Sequence, residues 1–263
     1  MSNCLSNAIF ENLLFVNVNA CGKNGIALFD TGAQKTLICE RFIKKCNCRS
    51  LIKNIKVGNN NGQTLSLKTA NIDFIKIGDK EVTNLDVLVC PDNMINMKDT
   101  QGHKFPADIL LGYDVISKFK WSYFPATNSL NIECPDINRN TPNLYYNVFP
   151  IINVEHGGKS YHAGIDTGHT ETIIKSTVNI QNLTVNCVDD KIVGVGSIKN
   201  VHVPVISEIK ISFENTDIIL HNITVQEEIC GASDGTDILL GMDFFADRSW
   251  ELDFSEGIFK VIT

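Results

Sequence analysis

The stretch Ile26-Ala27-Leu28-Phe29-Asp30-Thr31-Gly32-Ala33-Gln34-Lys35-Thr36-Leu37-Ile38 runs an apolar segment into one carboxylate, a Thr-Gly turn and a second apolar segment. A carboxylate delivered by an apolar strand is costly unless the site uses its charge. The same arrangement returns at Ala163-Gly164-Ile165-Asp166-Thr167-Gly168-His169-Thr170-Glu171-Thr172-Ile173-Ile174, with Asp166 in the place of Asp30. Two such turns in one chain predict a pair of carboxylates brought together.

The repeat extends well beyond the two turns. Leu13–Asn19 alternates as a strand does, Ala20–Asn24 carries turn chemistry, and Gly25–Phe29 leads into Asp30. Phe149–Glu155, the His156–Lys159 turn and Ser160–Ile165 lead into Asp166 in the same way. Val57-Gly58 and Val193-Gly194 stand at equal distances beyond the two aspartates, with the glycine 28 residues on in each case. Strands follow at Asn71–Ile77 and Glu208–Phe213, then at Leu85–Val89 and Ile223–Val225. Asp108-Ile109-Leu110-Leu111-Gly112 then matches Asp237-Ile238-Leu239-Leu240-Gly241, and Trp121 and Trp250 each stand nine residues past the glycine. Ser129–Glu133 and Ile258–Ile262 close the two halves. The chain therefore reads as all-β and duplicated, with lobes at 1–137 and 138–263 joined through the polar stretch Pro135–Asn143. Helix is expected only around Glu40–Lys45 and just after Gly112 and Gly241. The segment Cys90–Ala107 is longer than its counterpart and reads as an exposed insertion.

Composition narrows the function classes. The 263 residues, 43% apolar and 20% charged, describe an ordinary globular chain. A net charge of −7 and the lack of a Lys/Arg-rich run argue against a nucleic-acid partner. Lys44, Lys45, Arg49 and Lys53 read as one solvated helix face. No stretch approaches the roughly 18 apolar residues of a membrane span, and the start resembles no secretory signal, so no membrane partner is expected. The first hairpin begins near residue 10, which leaves little room for a long prosegment. Nine scattered cysteines, an odd number, fit a reducing compartment, and a cytoplasmic location is expected. Cys39, Cys46 and Cys48 lack a fourth ligand, so neither metal nor cofactor is expected.

Two carboxyl groups held about 3 Å apart cannot both ionise at ordinary cost, and they share a proton. The ionised member then takes a proton from water while the protonated member hydrogen-bonds a carbonyl under attack. That is general acid–base hydrolysis without a metal. Thr31 and Thr167 are placed to hydrogen-bond across to the opposite turn, and Gly32 and Gly168 let the backbone approach the carboxylates.

The paired motifs, Asp30-Thr31-Gly32-Ala33 with Ile109-Leu110-Leu111-Gly112 and Asp166-Thr167-Gly168 with Ile238-Leu239-Leu240-Gly241, resemble those of the retropepsin-type aspartic proteases, two copies fused in one chain. The resemblance implies two small closed β-barrel lobes related by a pseudo-two-fold axis, with the active site between them. It implies an aspartic endopeptidase that acts as a monomer on a peptide or protein substrate, with Asp30 and Asp166 catalytic. It also implies flaps at Val57–Leu67 and Val193–Val203, so Val57, Gly58, Asn59, Val193, Gly194, Val195 and Gly196 become candidate substrate-binding residues. The competing reading is a catalytically weak peptide-binding or regulatory module on the same fold.

His169 departs from the small residue that such motifs carry after Asp-Thr-Gly, where the first motif has Ala33. Its ring either donates to the Asp166 carboxylate or turns outward; both readings stand on sequence alone. Asp114 and Asp243 are assigned to helix N-termini, and Trp121 and Trp250 to packing.

Overall fold

Alternating burial sets the strands. Between Thr64 and Ile77, Leu67, Ala70, Ile72, Ile75 and Ile77 are buried while Lys68, Asp73 and Lys76 between them face solvent. That alternation suits a sheet with one face on the core and one in water. The computed structural model describes residues 4–6, 10, 12–46, 49–59, 62–98, 102–135, 141–147, 149–180, 183–229 and 235–262.

The first half contributes β1 (Cys4–Ser6), β2 (Leu14–Ala20), β3 (Lys23–Phe29), β4 (Leu37–Cys39), β5 (Arg49–Gly58), β6 (Thr64–Ile77), β7 (Lys80–Cys90), β8 (Ile109–Leu111), β9 (Lys120–Phe124) and β10 (Ser129–Glu133). The second half repeats the series. It contributes β11 (Leu144–Asn147), β12 (Phe149–His156), β13 (Lys159–Ile165), β14 (Ile173–Lys175), β15 (Val185–Gly194), β16 (Ser197–Phe213), β17 (Thr216–Gln226), β18 (Ile238–Leu240), β19 (Ser249–Asp253) and β20 (Ile258–Ile262). Three one-turn helices are described: α1 (Glu40–Ile43), α2 (Tyr113–Ile116) and α3 (Met242–Phe245).

The duplication is visible in topology. The first sheet runs β1-β2-β3-β8-β4-β7-β6-β5 and closes on itself where β2 also pairs with β6. The second runs β11-β12-β13-β18-β14-β17-β16-β15 and closes where β12 pairs with β16. Each half is thus a closed barrel, and closure removes the edges that an open sheet would expose. The hairpins that lead into the two aspartates turn through Cys21-Gly22 and Gly157-Gly158, all four at positive φ. This is the backbone of a two-residue primed turn, whose twist matches the strands it joins.

A third sheet ties the halves together. Its order is β10-β9-β19-β20, and β9 pairs antiparallel with β19, setting Trp121 opposite Leu252 and Tyr123 opposite Trp250. Both tryptophans are buried. Phe29 packs on Trp121 at 4.8 Å and on Trp250 at 6.2 Å between ring centroids. The residue before the first aspartate is therefore wedged against this shared sheet, within one apolar cluster drawn from both halves.

Two expectations require correction. The segment after β7 is not an exposed insertion: Ile95, Phe105 and Ala107 are buried, and Phe105 packs edge-on against Phe10 and Phe15 at 5.1 and 5.6 Å. Its apolar residues outweigh its Pro and Gly content and fold it back onto the barrel. It remains the longer connection: 18 residues separate Cys90 from Ile109, whereas 11 separate Gln226 from Ile238. Lys44, Lys45, Arg49 and Lys53 do not share a helix face, because α1 ends at Ile43 and Arg49 and Lys53 belong to β5. One helical turn cannot propagate without tertiary support. Of the three neighbouring thiols, Cys39 Sγ lies 3.5 Å from Asp108 Oδ1 and Cys46 Sγ lies 3.4 Å from the Ala20 carbonyl, while Cys48 lies outside the described residues. Part of the expected linker, residues 136–140, lies outside them too. Among the described residues no helix is long and apolar enough to cross a membrane.

Candidate active site

Each aspartate sits at the end of a strand held in parallel by its Leu-Leu segment. Phe29 is registered with Leu111 and Ile165 with Leu240. The ladder runs one residue further, as Asp30 N–H donates to Leu111 O at 3.1 Å and Asp166 N–H to Leu240 O at 3.0 Å. Gly112 and Gly241 follow because the chain passes close behind the loops. A Cβ on Gly112 would meet the Lys35 carbonyl carbon at 2.5 Å, and one on Gly241 would strike the Glu171 backbone.

The two threonines lock the loops to one another. Thr31 N–H donates to Thr167 Oγ1 at 3.1 Å, and Thr167 N–H donates to Thr31 Oγ1 at 3.0 Å. Each hydroxyl then donates across the axis: Thr31 to Ile165 O at 2.9 Å and Thr167 to Phe29 O at 2.6 Å. Both side chains are buried, so each hydroxyl satisfies groups that would otherwise be stranded away from water.

This lock brings the carboxylates face to face. A Cβ on Gly32 would stand 2.5 Å from Asp166 Cγ, and one on Gly168 would stand 2.5 Å from Asp30 Cγ. Each glycine is the floor beneath the opposite aspartate, and the close approach leaves no room for a side chain. Asp30 Oδ1 accepts from Ala33 N–H at 3.0 Å, and Asp166 Oδ1 accepts from Gly168 N–H at 2.9 Å. Loss of hydration raises both carboxyls well above the ordinary carboxylate range; the charge of Asp166 raises Asp30 further, and the backbone donors pull against the shift. Two carboxyls facing each other across these glycines keep one proton between them, and the pair titrates as a unit.

Residues 16–118 match the family described as gag-polyprotein putative aspartyl protease. Within the first half the chain is thus similar to a retropepsin-like aspartyl protease domain. That match spans β3, the Asp30 loop, the β5–β6 hairpin and Leu110-Leu111-Gly112, and the second aspartate lies beyond it. No curated protein matches the chain.

The two halves carry a brace that sequence reading missed. Thr36 and Thr172 are fully buried. Thr36 donates its N–H and hydroxyl to Asp114 Oδ1 at 2.9 and 2.7 Å, and its hydroxyl accepts from Gly112 N–H at 3.1 Å. Thr172 repeats this, donating to Asp243 at 3.0 and 2.7 Å and accepting from Gly241 N–H at 3.2 Å. Asp114 and Asp243 do stand in the first turns of α2 and α3, yet each also clamps the loop returning from an Asp-Thr-Gly turn. The equal spacing of six residues, Asp30 to Thr36 and Asp166 to Thr172, was the available signal.

His169 turns its ring to the backbone. Its Nδ1 lies 2.7 Å from Glu171 O, while its backbone N–H donates to the Asp166 main-chain carbonyl at 3.2 Å and favours the ionised Asp166 carboxyl. The segments expected as flaps fall on the hairpins β5–β6, closed by Asn59 and Gln63, and β15–β16, closed by Val195-Gly196. Asn60 and Asn61 at the first tip lie outside the described residues, and Val193 and Gly194 are described by their backbone alone. Among the described residues no group of three or more His, Cys, Asp or Glu is arranged to hold a metal.

Proposed function

We propose that the chain is a single-chain aspartic endopeptidase in which the 1–137 lobe supplies Asp30 and the 138–263 lobe supplies Asp166. The observation that carries this reading is the reciprocal placement of each carboxylate over the other loop's glycine. A random pair of Asp-Gly turns would not meet in this way.

The chemistry follows from the shared proton. Burial raises both carboxyls while two backbone N–H groups beside each favour its ionised form, so the resting pair is one acid and one base. The ionised member takes a proton from water as the water adds to the peptide carbonyl, while the protonated member hydrogen-bonds the carbonyl oxygen. Collapse of the tetrahedral adduct returns a proton to the leaving amine and restores the pair. No cofactor enters this scheme. The substrate is an extended peptide lying between the lobes under the Val57–Asn59 and Val193–Gly196 flap segments, paired through its backbone and selected by side-chain pockets. The working unit is a monomer, with neither nucleic acid nor membrane as partner.

The test is cleavage of a diverse peptide library from acid to neutral pH by the wild type, Asp30→Asn and Asp166→Asn. General acid–base catalysis contributes roughly 10²–10⁴-fold, and each variant is expected to lose at least that much. Equal residual cleavage in all three proteins would refute the dyad. Peptide binding without cleavage by the wild type would establish the competing binding module instead.

A further inference from the structure

The two flap tips are not equivalent in their contacts. Gly196 N–H, at the tip of the second flap, donates to the Met94 carbonyl at 3.0 Å. Met94 belongs to a single 3-10 turn, Asp92–Met94, in the long connection that follows β7 of the first half. Asn59 Nδ2, in the first flap, donates to the Val195 carbonyl at 3.2 Å. A Cβ on Gly196 would meet Met94 Cγ and Sδ at 3.3 and 3.4 Å and Leu65 Cδ2 at 3.7 Å. Val195, Met94 and Leu65 are all partly buried against the common core.

We propose that Met94 and Asn59 are positioning residues that latch the second flap to the first lobe. The seven extra residues of the 90–109 connection, 18 against 11, bring the Met94 turn within reach of a flap from the other lobe. Asn59 is built for the task at its other end: its Oδ1 accepts from Gln63 N–H at 2.9 Å, which fixes the carboxamide and aims Nδ2 outward. The second flap is thereby the ordered roof of the cleft. Two hydrogen bonds, Gly196 N–H to Met94 O and Asn59 Nδ2 to Val195 O, and the Met94 side chain set how readily it lifts to admit a peptide strand. This role rests on the peptidase reading, but the latch itself is measurable without any activity.

The deciding experiment is amide hydrogen exchange across 190–200 in the wild type, Met94→Ala and Asn59→Asp. Asn59→Asp keeps the acceptor for Gln63 and replaces the donor to Val195 O with a carboxylate oxygen. Loss of one net hydrogen bond, or of a few packed methylenes, corresponds to about five- to tenfold in an opening equilibrium. Exchange at Gly196 and its neighbours is expected to accelerate by that factor in either variant, with β2–β3 unchanged. An unprotected Gly196 amide in the wild type, or unchanged protection in both variants, would overturn the latch. In cleavage assays the same variants are expected to raise KM about five-fold while kcat stays within about two-fold. Absence of cleavage by the wild type would count against the peptidase reading alone and leave the exchange result to decide the latch.

Discussion

At the floor of the cleft the two halves correspond group for group. Thr31 answers Thr167, Gly32 lies under Asp166 as Gly168 lies under Asp30, and Thr36–Asp114 answers Thr172–Asp243. At the roof and rim they part. The first half has Ala33 where the second has His169, and it has the longer connection after β7, bearing Met94. The difference shows where symmetry is enforced. The threonines and glycines of the Asp-Thr-Gly loops touch the opposite loop across the axis, so a change on one side disturbs the other at once. Rim residues touch different neighbours in each half and are free to diverge.

The sharpest way to break the floor's symmetry is to fill one glycine. Gly32→Ala and Gly168→Ala each place a methyl against the opposite carboxyl, and a misplacement of about 1 Å at reacting groups costs roughly 100-fold in rate. Both are expected to lose cleavage at least that strongly and to lower unfolding free energy by about 1–3 kcal/mol. Retained activity in one would show that the approach is looser on that side.

Next in size is the threonine lock. Thr31→Val strands Thr167 N–H and Ile165 O, and Thr167→Val strands Thr31 N–H and Phe29 O. Each is expected to cost about 2 kcal/mol by denaturant titration. The double variant should cost less than the sum, because the two hydroxyls serve one network. Strict additivity would show that the lock is two independent bonds.

A smaller effect concerns pH. Both folded-state carboxyls titrate above their unfolded values, so the folded chain binds more protons than the unfolded one as pH rises past about 4. Stability contributed by this pair is therefore full at low pH and declines as pH climbs toward the raised folded values. Asp30→Asn should flatten that decline and melt higher than the wild type at neutral pH, with the gain vanishing near pH 4. A variant less stable at neutral pH would reverse the sign and the argument.

The least effect is expected at the rim. With its ring on Glu171 O, His169→Ala should leave cleavage within about two-fold, the scale of an ordinary surface substitution, and the pH profile almost in place. A large shift in that profile would put the imidazole back on the dyad.

Much of this molecule is legible in its residues alone. The Asp-Thr-Gly and Leu-Leu-Gly pairs point to the duplicated barrel, because an apolar strand that ends on a carboxylate is tolerated only where the charge is put to use. The repeated hairpins place β2, β3, β12 and β13 to within two residues. What stays hidden depends on long-range contact. Nothing local in Thr36 or Thr172 marks a hydroxyl that meets an aspartate more than sixty residues away. The Cys90–Ala107 segment misleads because Pro and Gly announce a loop, whereas its fate is decided by where Phe105 and Ile95 find apolar partners. The orientation of His169 is undecidable locally, since its backbone N–H supplies the same kind of donor that its ring could offer.

The sheet in which β9 pairs with β19 has a consequence for mass action. Where two identical subunits contribute one aspartate each, the pair exists only as far as concentration favours association, and any substitution enters both sides together. Here the second partner arrives on the same chain, at an effective concentration set by the connection between β10 and β11. Dilution cannot separate the carboxylates, and one side can acquire a histidine or a longer connection while the other keeps its form.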